Sequence, residues 1–163
     1  MRRTQAPNPS AFPFIRMNPF TDEYYMGLAL QQAQRAFEAD EVPIGAVVVG
    51  NARLLAKGHN QTETLVDPTA HAEMIALTAA CNAIGGKYLH GCTLYVTVEP
   101  CPMCAAALRW AQISRLVYGA QEPKVGYTTV SHQLVHPKTE VESGVLADEC
   151  SALMREFFRA KRR

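Results

Sequence analysis

From Thr21 onward the apolar positions of the chain follow two periods, and the switches between them mark out the elements. Tyr25, Leu28, Ala29, Ala33, Ala36 and Phe37, with Gln32 among them, recur at helical spacing. Thr21 is a fitting N-cap, and Asp22 and Glu23 suit the positive end of the helix dipole, so a helix is predicted from there to about Ala39. Ile44 to Val49 is a short β-branched run between Pro43 and Gly50, predicted as a buried strand. Leu54 to Asn60 reads as its hairpin partner across the Asn51-Ala52-Arg53 turn. A polar loop over 61–69 leads to a second helix, about Ala70 to Ile84, capped by Thr69 and stopped by Gly85-Gly86. Thr93 to Val98 alternates with period two as far as Pro100. Pro102 fits the first position of a helix running to about Gln112, because the N–H it lacks would go unpaired there anyway. Ile113 to Tyr118 is a strand closed by Gly119, and after a long loop Glu140 to Ser143 is a short final strand. Ala147 to Lys161 forms an amphipathic helix with Leu146, Cys150, Leu153, Met154, Phe157 and Phe158 on its apolar face.

Helices alternating with strands predict an α/β fold in three layers, α/β/α, with a mixed five-stranded sheet covered on both faces and parallel crossovers in its second half. The length of 163 residues fits one such domain, expected over residues 21–163. Residues 1–20 hold four of the ten prolines and are expected to form a poorly ordered leader, with Met17 a candidate natural start.

The net charge is +1, so no global field argues for nucleic acid. The distribution changes that picture. Residues 155–163 carry Arg155, Arg159, Lys161, Arg162 and Arg163 against one acid, Glu156, which leaves the tail at +4. A basic helix end of this kind can meet phosphates, or it can be a solvated surface. No apolar run approaches the ~20 residues of a membrane-spanning helix. Five cysteines, an odd number, fit a reducing, cytoplasmic compartment, where Cys-x-x-Cys is metal-binding or redox-active more often than a staple.

The chemistry concentrates in His71-Ala72-Glu73 and Pro100-Cys101-Pro102-Met103-Cys104. One imidazole and two thiols make three zinc ligands, His71, Cys101 and Cys104, and three ligands leave the fourth position to water. His71 and Glu73, two apart, cannot share a helix side and converge only at a helix start. Cys101 and Cys104 straddle another helix start, so two positive helix ends aim at one centre and favour thiolates. Glu73 is then placed to carry the proton of a metal-activated water in the hydrolytic removal of an amine from an sp² carbon.

These motifs resemble the zinc-dependent nucleoside and base deaminases. The likeness extends to Glu41-Val42-Pro43-Ile44-Gly45-Ala46, Gly58-His59-Asn60, Asp67 to Glu73, Leu94 to Pro100, Arg115 to Ala120 and Gly144 to Cys150, which are similar to the bacterial tRNA-specific adenosine deaminases over roughly residues 21–161. That resemblance implies a cytidine deaminase-like fold and one Zn2+ per subunit. It also implies conversion of adenosine to inosine at the wobble position of a tRNA anticodon, with the anticodon stem-loop as partner, and a homodimer. It assigns Asn60 to hydrogen bonding with the target base and places the backbone N–H of Ala72 near the base or the water. The chain departs from the family between Tyr127 and Lys138, where small residues usually follow Lys-x-Gly and an Asn-His pair stands later.

Other readings stay open at this point. A deaminase of a free base, guanine or cytosine, would share every site residue. A non-catalytic, zinc-stabilised RNA-binding module would need a fourth protein ligand, for which Cys81, Cys92 and Cys150 are candidates by type. Cys81 and Cys150 read as buried small hydrophobes, while Cys92 is undecided. His59, His90, His132 and His136 are not expected to ligate, and Trp110 and Met103 are expected to fill core. A chain beginning at Met17 is expected to keep its activity and melting temperature; a collapse of stability on removing residues 1–16 would overturn this.

Overall fold

The computed structural model describes residues 21–163; the expected leader and the candidate start at Met17 lie outside the described residues. The elements are α1 (Asp22–Glu38), β1 (Gly45–Gly50), β2 (Arg53–His59), α2 (Ala72–Ile84), β3 (Cys92–Val98), α3 (Pro102–Ala111), β4 (Arg115–Ala120), β5 (Glu140–Ser143) and α4 (Ala147–Lys161), with two 3-10 turns at Tyr127–Thr129 and His132–Leu134. They build a five-stranded sheet in the order β2-β1-β3-β4-β5. β1 runs antiparallel to β2 and β3, whereas β3, β4 and β5 are mutually parallel, giving the mixed sheet expected.

Period-two alternation sorts the strand residues onto two faces. Ala46, Val48, Leu94, Val96, Leu116 and Tyr118 face α2 and α3 in one core. Val47, Val49, Tyr95 and Val117 face α1 and the start of α4 in the other. Both faces are covered, as α/β crossovers require.

Several element ends differ from the pattern-based reading, each for a physical reason. Helix α2 begins two residues later than expected. Its N-cap is His71, because Thr69 instead donates through its backbone N–H and hydroxyl to Asp67 Oδ1, at 2.8 and 2.7 Å. Strand β4 runs through Gly119 to Ala120 rather than ending at Tyr118. Gly119 is there for close approach: a Cβ would sit 2.5 Å from Cys150 Sγ and 2.8 Å from the Thr97 carbonyl, so α4 seats directly on the strand. Trp110 is 81% exposed and fills no core. α3 covers the sheet with the stripe Cys104, Ala105, Leu108 and Ala111, and Trp110 falls outside that stripe. On α4 only Cys150 and Phe157 are buried, and Phe158 is exposed. Among the described residues, no helix is long and apolar enough to cross a membrane.

One polar cluster ties the second face together. Asp22, in the first turn of α1, accepts from Arg115 Nη1 and Nη2 at 2.6 and 2.8 Å and from the Tyr95 hydroxyl at 2.8 Å. Arg115 also pairs with Glu142, so α1, β3, β4 and β5 meet around the Asp22–Arg115 pair. Arg115 holds the Asp22 carboxyl below its ordinary pKa of 3.8. A carboxyl depressed on folding contributes stability above its unfolded pKa and loses it as pH falls through the folded value. Asp22→Asn is therefore expected to cost about 1–2 kcal/mol at pH 7. In urea melts the gap to the parent protein should shrink as pH drops below 3.8; a gap independent of pH would remove the ion pair from the account.

Candidate active site

Two helix starts build the site. His71 is the N-cap of α2 and Cys101 the N-cap of α3, with Pro102 next and Cys104 in the first turn. β2 brings α2 into place through Gly58: a Cβ there would lie 2.5 Å from the Ala72 carbonyl and 2.8 Å from the Ala76 nitrogen, so the first turn of α2 rests on bare backbone. β3 delivers Cys101 from its C-terminal end, at the edge of the sheet's parallel half where ligands bind in α/β folds.

His71 Nδ1 lies 3.4 Å from Cys104 Sγ and 3.6 Å from Cys101 Sγ, and the three donor atoms all fall within 4.8 Å of one another. Tetrahedral bonds of ordinary zinc–sulfur and zinc–nitrogen length place such atoms about 3.6 Å apart. The donor set, two sulfurs and an imidazole, is also the one zinc prefers. The neighbouring Cys104, with His71 alongside, brings the Cys101 thiol down to about 4. Cys101 and burial move Cys104 the other way, upward. His71 is raised by its hydrogen bond to Cys101. These residues fit one zinc ion.

Glu73 sits one turn-step beyond His71 and is 4% exposed; burial lifts its carboxyl to about 7. Asn60 follows β2, its N–H donating to the Ile44 carbonyl at 3.1 Å, and its neighbour Gln61 donates to the carbonyl of Ala70, beside His71. Among the described residues, Asn60 Oδ1 and Glu73 Oε2 are the two buried polar side-chain atoms without a hydrogen-bond partner. A buried acceptor left unpaired is costly, and sites that await a ligand are where such atoms persist. Ala72 is fully buried and opens α2, so its amide is among the helix N–H groups with no intrahelical acceptor.

The remaining thiols and imidazoles stay out of the cluster. Cys92 donates to the His90 carbonyl at 3.8 Å, Cys150 is buried against Gly119, and Cys81 packs partly buried against the first core. Burial raises all three thiols. His90 pairs with Gln112 at 2.7 Å, and His136 Nδ1 accepts from the Lys138 N–H at 3.1 Å. Among the described residues, the only group of three or more potential ligands is His71, Cys101 and Cys104.

Two buried carboxylates went unremarked as individual residues at the level of sequence. Glu41 is 1% exposed and Glu99 5%, and both bond to loops beside the site. The signal for them is an acid set against proline at the end of an apolar strand or just ahead of one, Glu99-Pro100 and Glu41-Val42-Pro43, positions where water is excluded.

Comparison with known proteins agrees with this geometry. Residues 19–120 match the family described as the cytidine and deoxycytidylate deaminase zinc-binding region. A tRNA-specific adenosine deaminase of Agrobacterium fabrum is 47% identical over 144 residues, covering 85% of this chain and 95% of the relative. A solved structure from biochemical and structural studies of A-to-I editing by tRNA:A34 deaminases at the wobble position superposes with a TM-score of 0.74 at 45% identity, covering 80% of this chain and 98% of that one. A guanine deaminase from Nitrosomonas europaea superposes with a TM-score of 0.72 at 25% identity, covering 96% and 98%. Sequence, fold and metal cluster thus agree, and the chain belongs to the zinc-dependent cytidine and deoxycytidylate deaminase family, on the branch of the tRNA-specific adenosine deaminases.

Proposed function

We propose that this deaminase converts adenosine to inosine at the wobble position of a tRNA anticodon, with water consumed and ammonia released. The observation that carries the reading is the cluster His71, Cys101 and Cys104 with a buried, unpartnered carboxylate oxygen two residues from its imidazole. Zinc held by the three ligands supplies a Lewis acid that makes water a nucleophile near neutral pH. Glu73 handles the protons: its carboxylate accepts one from the attacking water and passes it to a ring nitrogen, then takes the second from the new C6 hydroxyl and gives it to the departing amine, leaving the C6 carbonyl. The new bond is C6–O and the broken bond C6–N. A carboxyl poised near 7 can do both. Asn60 hydrogen-bonds the target base, and the Ala72 N–H lies at its edge.

The RNA reading draws support from the chain's end. α4 stays helical to Lys161, whose Nζ pairs with Asp40 at 2.5 Å. Lys161 and Phe158 line a groove of about 650 Å³ with Thr62, Glu63 and Thr64, in the loop that starts after Asn60. The basic tail therefore stands beside the loop that leads into the site, where phosphate contacts supply affinity. The substrate base is splayed from its loop to reach the pocket. Deamination of free guanine is the second reading, favoured by the likeness to the Nitrosomonas europaea enzyme. The reading includes a homodimer, on the family resemblance, and a cytoplasmic setting, supported by five free thiols.

Incubation with an anticodon stem-loop is expected to release ammonia and leave inosine, while free guanine yields no xanthine; the reverse would establish the second reading. Glu73→Ala is expected to cut turnover at least 10³-fold with one zinc per chain still bound, by metal analysis. Normal turnover in that variant would end the mechanism. Light scattering is expected at twice the 17.9 kDa chain mass.

A further inference from the structure

Outside the metal cluster, two buried carboxylates share one arrangement. Glu99 Oε2 accepts from the Glu122 N–H at 2.9 Å, and Oε1 accepts from the N–H and the hydroxyl of Thr128. The next carbonyl, Pro100, accepts from the Tyr127 N–H at 2.8 Å. A Cβ on Gly126 would lie 2.2 Å from Glu99 Oε2, so the loop backbone rests directly on the carboxylate. Glu41 repeats the pattern: Oε1 accepts from the Thr64 N–H at 2.7 Å and its hydroxyl at 3.2 Å, and Oε2 from the Thr62 hydroxyl at 3.4 Å. Among the described residues neither carboxylate pairs with a cation.

A carboxylate taken out of water without a counter-charge is unfavourable unless hydrogen bonds replace its hydration. An apolar side chain would fill the same space without that penalty. What the acid adds is a fixed conformation for the loop whose N–H groups it gathers. Both loops are chained to the site. The first begins after Asn60 and ends at Ala70, next to His71; the second is bonded to Glu99 and Pro100, next to Cys101. β3 and β4 are parallel, so the second loop leaves the sheet at the same edge as Cys101.

We propose that Glu41 and Glu99 are positioning residues that fix the two loops beside the target base, 61–70 and 121–128, so that RNA meets preformed walls. The proposal rests on the deaminase reading above. Preformed walls lower the cost of ordering on binding, so their loss shows in affinity for RNA ahead of chemistry or metal.

The test uses the zinc-loaded enzyme and an anticodon stem-loop. Glu99→Gln and Thr128→Val are expected to raise KM and the stem-loop Kd by about tenfold, with kcat within about threefold and one zinc per chain. Thr128→Ser, which restores the hydroxyl, should return both to near the parent values. Amide hydrogen exchange should quicken across 121–128 in the first two variants. Glu41→Gln and Thr64→Val should act alike, with exchange quickening across 61–67 and Thr64→Ser as the rescue. Unchanged KM and Kd, or losses confined to kcat, zinc content or melting temperature, would overturn the proposal, as would unaltered exchange. If Glu99→Gln does not fold, the Thr128 pair decides. A parent enzyme that binds the stem-loop and makes no inosine would sink the deaminase reading alone, since Kd and exchange would still report on the loops.

Discussion

Three soft donors and a carboxylate have to meet at one point, although the carboxylate is only two residues from one of the donors. A helix side cannot satisfy that, since neighbours on one face are three or four apart. A helix start can, because the N-cap still has extended backbone while the following residues already turn. His71, at φ −74° and ψ 152°, and Cys101, at φ −69° and ψ 167°, both occupy that junction. The rest of the fold serves to bring two such junctions side by side. β3 carries one, and the bare backbone at Gly58 lets the other settle onto β2.

The same junctions shape the electrostatics. The positive ends of two helices favour a thiolate, and Cys101 is lowered, chiefly by Cys104, whereas Cys104 is raised by Cys101 and by burial. Burial raises Glu73 too and favours the protonated acid. Cys101 is lowered while Cys104 and Glu73 are raised, so the cluster is electrostatically asymmetric: donors suited to a metal stand beside a carboxyl that holds its proton more readily.

Most of this was legible in the sequence because the fold and the chemistry both leave local traces. The spacing of His71, Glu73, Cys101 and Cys104 sets them at two helix starts, although the first start falls at His71 and not at Thr69. The central strands β1, β3 and β4 are legible for the same reason: strands buried on both faces read as apolar, β-branched runs. What escaped depended on distant partners. Gly119 looked like a strand end because nothing in its neighbourhood shows that Cys150 arrives from α4. Trp110 looked like core because its hydrophobicity is visible and the outer side of α3 is not. The roles proposed for Asn60 and Ala72 rest on family resemblance, and burial alone does not single them out. Glu41 and Glu99 passed as ordinary acids until the loops that surround them were in place.

A metal bound only to hold the chain together would be closed by a fourth protein ligand. Each cysteine that might have served is committed elsewhere: Cys92 to the His90 carbonyl, Cys150 to the contact of α4 with β4, Cys81 to the first core. The nearby acid does not fill the role either. Glu73 lies outside the donor cluster, and one of its oxygens has no hydrogen-bond partner. A structural clasp has no reason to bury a carboxyl in that condition, because the cost of desolvation would bring no bond in return. The proposed mechanism gives a reason, since an acid that takes a proton and then gives it up cannot have both oxygens committed to the protein. On that proposal, a metal position left to water and the unpaired oxygen of Glu73 would be two aspects of one requirement, that water and substrate enter where the protein withholds a ligand.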